Sequence, residues 1–414
     1  MATTAIGTQP AVAGGFQLNE KSARAQGMSY AGSVSAASDV TFAGFNPAAL
    51  RVVETREIGQ NFSLIFPRAD GRTTTSTVPA DTLAALGIST ETNADRSAAV
   101  PAFAFGWRYD PDIVLGLTVN APFGLATENP DNFIGAADGT QSSLLTIQVS
   151  PMASVDVTDY LTLGGAIDFL YVDARLGSAV VNLDGNDLQV GFSAGALLDV
   201  GPRTTIGVAY HHGFDLSVSG TAQFTDAGAP AAGLAGQFIP TVVNADLPLV
   251  GQVGITHGFT EDFRMSAEFR YINWSVFESI DTSIESLGID ASDPQNYEDS
   301  VFAAIGAEYD FTPAFTGRIG FAYDQTPTQD TVSLTDAGRG RTVRVPDEDR
   351  LWLSIGASMD MELFGFDTTL DAAYSFLYAL KDPEVTVFGG PFAGSTIEYD
   401  AGAHIFSLGG TVRF

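Results

Sequence analysis

"HIFSLGGTVRF", residues 404–414, reads unambiguously at period two. Counting back from Phe414, one face carries Val412, Gly410, Leu408 and Phe406, and the other carries Arg413, Thr411, Gly409 and Ser407. One apolar and one polar or small face on alternate residues is a β-strand pattern. "EIGQNFSLIF" (57–66) repeats it, with Ile58, Phe62, Leu64 and Phe66 opposing Glu57, Gly59, Asn61 and Ser63. So does "FDTTLDAAYSFLYAL" (366–380), where Leu370, Tyr374, Phe376 and Tyr378 oppose Asp367, Thr369, Asp371 and Ser375.

The same pattern marks fourteen strands, at 56–66, 98–109, 112–122, 143–157, 160–176, 188–200, 203–219, 247–259, 262–280, 299–310, 314–324, 349–361, 365–381 and 401–414. Short turns such as "YDPD" (109–112) and "FTED" (259–262) join every second pair, and longer polar connections join the rest. An even strand number with alternating short and long connections describes an all-β, up-and-down transmembrane barrel. Its apolar face is tolerable in lipid, where closure satisfies every backbone hydrogen bond. The terminal aromatic on strand fourteen suits recognition by the barrel-assembly machinery.

Composition narrows the function. Nineteen Lys+Arg against forty-nine Asp+Glu give a net charge of −30, which repels phosphate backbones and argues against nucleic acid. A hydrophobic content of 45% excludes a disordered acidic chain. Cysteine is absent, which removes disulfides, thiolate metal sites and a Cys nucleophile. No apolar run is long enough for a transmembrane helix. Residues 1–13 are either the end of an export signal, for which Ala11-Val12-Ala13 has the small-x-small form, or a disordered terminus.

Residues 14–55 break the strand pattern. "FNPAAL" (45–50) is a helix start, with Asn46 as cap and Pro47 at the first helical position. This small-residue segment ahead of strand one hangs in the periplasm or fills the lumen of a barrel (56–414) wide enough to need a plug.

The chain resembles the FadL family of outer-membrane transporters of long-chain fatty acids, with TodX-like relatives for aromatic hydrocarbons. "GGFQLNE" (14–20), Asn46-Pro47-Ala48, "PFGLATE" (122–128), "YINWSVF" (271–277) and "FAYDQTP" with "VPDEDRLWLS" (345–354) carry the likeness in order. The resemblance implies a Gram-negative outer-membrane barrel plugged by an N-terminal hatch. Substrate is captured at the outer loops, held in a lumen pocket against the hatch, and released sideways at a kink in strand three, where Asn120, Ala121, Pro122, Phe123 and Gly124 stand. Pro122 either opens the ladder there or simply ends the strand. The chain departs from the family in its short third connection, "LGSAVVNLDGN"; the apolar fourth, 220–246, is left to build any landing groove.

For chemistry, four histidines offer little. His211 and His212 face opposite sides of a strand, and His257 and His404 fall on the apolar parity. No nucleophile-elbow, zincin or phosphate-loop motif occurs, and no cofactor is expected. "DGND" (184–187) is a polar turn or a calcium loop. Scarce cations are more informative. Arg339, Arg341, Arg344 and Arg350 cluster late; Arg350 and Trp352 face inward by parity, as do Arg318 and Arg270, with Arg175 as a further candidate. Each either binds a substrate carboxylate or pairs with a neighbouring acid such as Asp347, Glu348 or Glu268, and the loop arginines also suit lipopolysaccharide phosphates. Phe16, Leu18 and Met28 either line an apolar pocket or anchor the plug. The expected function is passive transport of a hydrophobic molecule by a monomer in contact with outer-membrane lipid. Long-chain fatty acids lead, aromatic or alkane hydrocarbons follow, and a general porin or barrel hydrolase comes last.

Overall fold

The computed structural model describes residues 14–226, 228, 234–330 and 340–414. Residues 1–13 and Arg339 therefore lie outside the described residues. Fourteen antiparallel wall strands close on themselves. They are β1 (Arg56–Thr75), β2 (Ala98–Asp110), β3 (Ile113–Asn120 with Gly124–Glu128), β4 (Gln141–Thr158), β5 (Leu161–Gly177), β6 (Val181–Asp199) and β7 (Thr204–His211 with Phe214–Phe224). There follow β8 (Phe238–Leu247 with Val250–Gly258), β9 (Phe263–Ile272 with Ser279–Ile284), β10 (Ser300–Thr312), β11 (Phe315–Asp324), β12 (Arg350–Leu363), β13 (Phe366–Ala379) and β14 (Thr396–Arg413). β1 pairs with β14 from Glu57↔Arg413 to Thr75↔Thr396, which closes the barrel. No helix among the described residues is long and apolar enough to cross a membrane; the crossing is made by strands.

The lower wall has the membrane-protein arrangement. Phe62, Leu64, Ile167, Phe169, Ile319, Phe321, Leu353 and Ile355 are exposed outward, while Ser63, Ser150, Asp168, Ser266, Glu268, Ser354 and Ser375 are buried inward. Aromatic side chains mark the turn end, among them Trp107, Tyr109, Tyr160, Phe259, Phe311, Phe364 and Phe414, as expected at a bilayer interface.

The strand reading is corrected at three places. Segments 203–219, 247–259 and 262–280, expected to be single strands, are interrupted or cut short: β7 breaks at 212–213, β8 at 248–249 and β9 at 273–278. β3 breaks at 121–123. The breaks in β3, β7 and β8 reverse which face points in, because one extra residue in a strand turns every later side chain over. Val208 points out below the β7 break, whereas Leu216 and Val218 are buried above it. Val253 and Ile255 point out below the β8 break, and Leu247 is buried above it. The upper barrel between β4 and β9 is apolar inside and polar outside, where Asp173 and Arg175 of unbroken β5 and Asp215, Ser217, Asn244 and Asp246 beyond the breaks are found. β6 also starts earlier than expected, so the third connection shrinks to residues 178–180. The expected "DGND" turn is part of that strand.

Residues 14–55 pack inside the lower wall through short helical turns at Ala23–Gln26, Val40–Gly44 and Pro47–Val52. Asn46 caps the last of these by accepting from Ala48 N at 3.0 Å, and its Nδ2 donates to Val34 O (2.9 Å) and to Ala196 O of β6 (3.2 Å). The fit depends on inward-facing wall glycines. A Cβ on Gly195 would overlap the Asn46 side chain, on Gly164 the Pro47–Ala48 backbone, on Gly207 the Val34 carbonyl, and on Gly320 the Met28–Ser29 backbone. Backbone cannot retreat as a flexible side chain can, so Gly164, Gly207 and Gly320 fix how close the segment lies, and Gly195 leaves room for the Asn46 cap.

Gly207→Leu should therefore dislodge the segment and give ion conductance in planar bilayers. Gly251→Leu, at a wall site with nothing within 4 Å, should leave the wild-type trace unchanged. Equal conductance from the two variants would contradict the packing.

Candidate functional site

The inverted upper barrel encloses a cavity of about 90 Å³. Leu144 of β4, Leu176 of β5, Leu183 of β6, Leu216 and Val218 of β7, Val243 and Leu247 of β8, and Ile280 of β9 form its walls. Phe16 and Phe277 close its floor, and Leu125 of β3 forms one edge. Among the described residues no Lys, Arg or His contributes to the lining. Water needs polar partners to occupy a cavity, so a space lined this way favours apolar occupants.

The floor is an aromatic cluster. The Phe16 ring centroid lies 4.7 Å from Trp274, 5.3 Å from Phe277 and 6.2 Å from Phe123. Trp274 and Phe277 belong to the insertion that interrupts β9, and Trp274 is fully buried. Gly15, at φ +69°, lies beneath the indole, where a Cβ would meet the ring at 2.9 Å. The chain from Phe16 to Leu18 then pairs with the β3 break: Leu18 N donates to Pro122 O (2.8 Å) and Gly124 N to Phe16 O (2.9 Å). Thr146 of β4 holds Phe123 from the other side, accepting from its N–H at 3.1 Å and donating to its carbonyl at 2.5 Å. The β2–β3 ladder stops at Phe103↔Val119 and resumes at an isolated Asp95↔Thr127 bridge. The interval lies in the apolar belt, since Pro101 is the β1 register partner of Phe62.

Below the aromatic floor is a second cavity, of about 40 Å³, with polar walls from Gln17, Asn19, Lys21, Gln148, Asp168, His211, Gln252 and Arg270. Lys21 Nζ donates to Gly44 O at 2.8 Å and stands 5.1 Å from the Phe45 ring centre. Burial lowers the Lys21 pKa to about 8; Arg270 pushes in the same direction, and Asp168 and Glu20 oppose. Burial also raises Glu20 to about 7 against hydrogen bonds that favour its charge. Asp168 and His211 of this chamber both contact Ser193. However, Asp168 accepts from Ser193 and Ser150, while His211 Nε2 lies 2.8 Å from Phe45 O. A hydrolytic triad needs its acid behind the histidine, and here the acid holds the serine instead.

The candidate arginines are scattered. Arg270 is clamped by Glu268 (2.7 Å), Asn19 (2.6 Å) and Ser33 (3.1 Å), and its guanidinium lies over Phe302 at 4.7 Å. Arg350 pairs with Asp347 (3.1 Å) and Asp324 (3.4 Å), and Trp352 Nε1 donates to Asp324 at 3.2 Å. The same two carboxylates accept from Gly14 N (3.0 Å) and Gly15 N (2.9 Å), so this cluster ties down the start of the segment 14–55. Arg318 pairs with Glu308 and donates to Ser358 (2.5 Å) near the turn end of the barrel. Arg175 faces outward, half exposed, 2.8 Å from Asp184. Arg341 pairs with Glu348 at 3.0 Å.

Of the three apolar candidates, Phe16 borders the apolar cavity and Leu18 the polar one. Met28 sits lower, against Gly306 and Gly320. Sequence reasoning missed the cavity walls and Lys21. The β7 and β8 wall residues share the parity of the outward-facing Val208, Val253 and Ile255 below the breaks, so the pattern does not separate them. Lys21 had a signal, as one of only two lysines in the chain.

The outer-membrane protein transport family model (OMPP1/FadL/TodX) matches residues 4–414, and the chain belongs to this family. It is 26% identical to the 47 kDa outer membrane protein of Pasteurella multocida, over 98% of this chain and 95% of that one. It is 22% identical to a long-chain fatty acid transport protein of Escherichia coli, over 92% and 90% respectively. Among solved structures it resembles a Pseudomonas aeruginosa FadL homologue (TM-score 0.85, 21% identity, 97% of this chain and 100% of that one). It also resembles the Ralstonia pickettii toluene transporter TbuX (TM-score 0.69, 21% identity, 96% and 98%). The fold is theirs.

Arg270→Met leaves Glu268 buried without its cation, a loss of roughly 3–5 kcal/mol in comparable sites. Amide exchange over residues 29–36 should accelerate at least about a hundredfold, while exchange in β1 and β14 stays unchanged. Unaltered exchange over 29–36 would mean that Arg270 does not hold the segment.

Proposed function

We propose that the hydrophobic molecule carried by this outer-membrane transporter is a long-chain fatty acid, held by its tail in the apolar cavity above Phe16. The observation that carries the reading is this apolar cavity, which ends at Leu125 beside the interrupted β2–β3 ladder. In lipid, unpaired backbone is costly, so a ladder gap inside the apolar belt is tolerated where it serves a passage. Ligand enters from the outer loops, rests in the cavity, and leaves between β2 and β3 when Phe16–Leu18 releases the 122–124 backbone. Residues 14–55 act as the plug, and the step is driven by binding with no chemical reaction.

A hydrocarbon cargo is the second reading, favoured by the absence of any cation from the apolar cavity among the described residues. An open porin is disfavoured by the segment packed across the lumen.

Two variants test the path through uptake of labelled hexadecanoate and toluene by cells whose only such carrier is this protein. Leu216→Asp should lower uptake of whichever cargo is used by more than about tenfold, because a charge is forced into an apolar space. Ala102→Cys with Asn120→Cys, placed opposite each other by extending the register of the ladder below, should block uptake on oxidation and restore it on reduction. The chain has no other cysteine to interfere. Full uptake by the cross-linked protein would exclude a β2–β3 exit.

A further inference from the structure

We propose that Lys21 is the counter-ion for the carboxylate of the transported fatty acid, which it receives in the polar cavity beneath the aromatic floor. The inference rests on the fatty-acid reading above and names the group that would select that cargo over a hydrocarbon.

Lys21 is one of two lysines in the chain, and the other, Lys381, is exposed near the outer loops. Among the described residues no carboxylate lies within ion-pair distance of Lys21, whereas Arg270, Arg318 and Arg350 each have one. Its one hydrogen bond, to Gly44 O, leaves two of three N–H groups for another acceptor. An unpaired cation in a confined site is costly to keep, which a visiting anion offsets.

The surroundings suit a carboxylate. Gln17, Gln148 and Gln252 add amide donors to the same cavity. The nearby Asp168 is already engaged by Ser150 and Ser193. The two cavities are also consecutive along three chain segments. Phe16 lines the apolar cavity and Gln17 the polar one, Leu247 precedes Pro248 in the same way, and Leu216 lies two residues beyond Phe214. One amphiphile spanning the two would keep its tail above Phe16 and its head at Lys21, passing beside Phe123 and Phe214 as the Phe16 floor opens.

Charge at Lys21 gives a second readout. The groups facing it are Glu20 on its own segment, Asp168 of β5, His211 of β7 and Arg270 of β9. With its pKa lowered to about 8, Lys21 is cationic below that pH and neutral above it. Carboxylate affinity should fall as pH rises through 8. Arginine at this position would stay charged and should remove the fall.

The test measures binding of hexadecanoate and hexadecanol to the purified full chain by calorimetry. Lys21→Met should weaken hexadecanoate more than about tenfold and hexadecanol less than about twofold. Lys21→Arg should restore hexadecanoate to within about threefold of wild type and abolish the loss above pH 8. Equal weakening of both ligands by Lys21→Met would make Lys21 a purely structural residue and overturn the proposal. So would unchanged hexadecanoate binding in Lys21→Met while Leu216→Asp loses it, an outcome that leaves the fatty-acid reading standing. If hexadecanoate binds Leu216→Asp and Lys21→Met as it binds wild type, both readings fail.

Discussion

Lipid offers a backbone amide no hydrogen-bond partner, and this constraint governs the rest of the structure. It requires the wall to close, β1 onto β14, and it makes each interruption of the ladder costly. Interruptions are nevertheless concentrated in four strands, β3, β7, β8 and β9. Each has its orphan groups partly recovered by a nearby element. Residues 16–18 and Thr146 serve the β3 break, and Asp187 accepts from Ser217 N beside the β7 break. The breaks in β3, β7 and β8 are places where the wall changes from a membrane-facing cylinder to a cup that is apolar inside.

A second requirement follows from closure. A wide lumen with polar walls would conduct ions, and residues 14–55 fill it by docking backbone against glycine. The wall donates space at Gly164, Gly195, Gly207 and Gly320. Buried arginines then hold the segment at defined points, Arg270 from β9 and Arg350 through the carboxylates that receive Gly14 and Gly15. Arg270 and Arg350 are thus absorbed in positioning this segment, and Lys21, carried by the segment itself, has no acid within ion-pair distance among the described residues.

Strand number, closure and the lipid-facing set were legible because period two survives in every membrane-crossing segment. The cavity was not legible, for a specific reason. In β7 the apolar residues Ile206, Val208, Tyr210, Phe214, Leu216 and Val218 all fall on even positions. The sequence therefore reads as one strand with one apolar face. The extra residue at 212–213 turns those even positions from outward to inward without disturbing the pattern, and β8 repeats this with odd positions across 248–249. The inward parity of Arg270, Arg318 and Arg350 was also readable. Their acidic partners Asp324 and Glu308 lie 26 and 10 residues away in sequence, on neighbouring strands, and needed the register. Arg175 was misjudged because charge alone does not distinguish a lumen residue from one on the outer rim.

The account turns on what occupies the cup above Phe16. A crystal structure of the protein grown with bromine-labelled hexadecanoate, bromine at the tail end, locates both ends of the ligand by anomalous scattering and electron density. The account predicts bromine among Leu216, Val218 and Val243, with the chain running down past Phe16. Bromine found only on the outer surface of the barrel, with ordered water filling the cup, would contradict it.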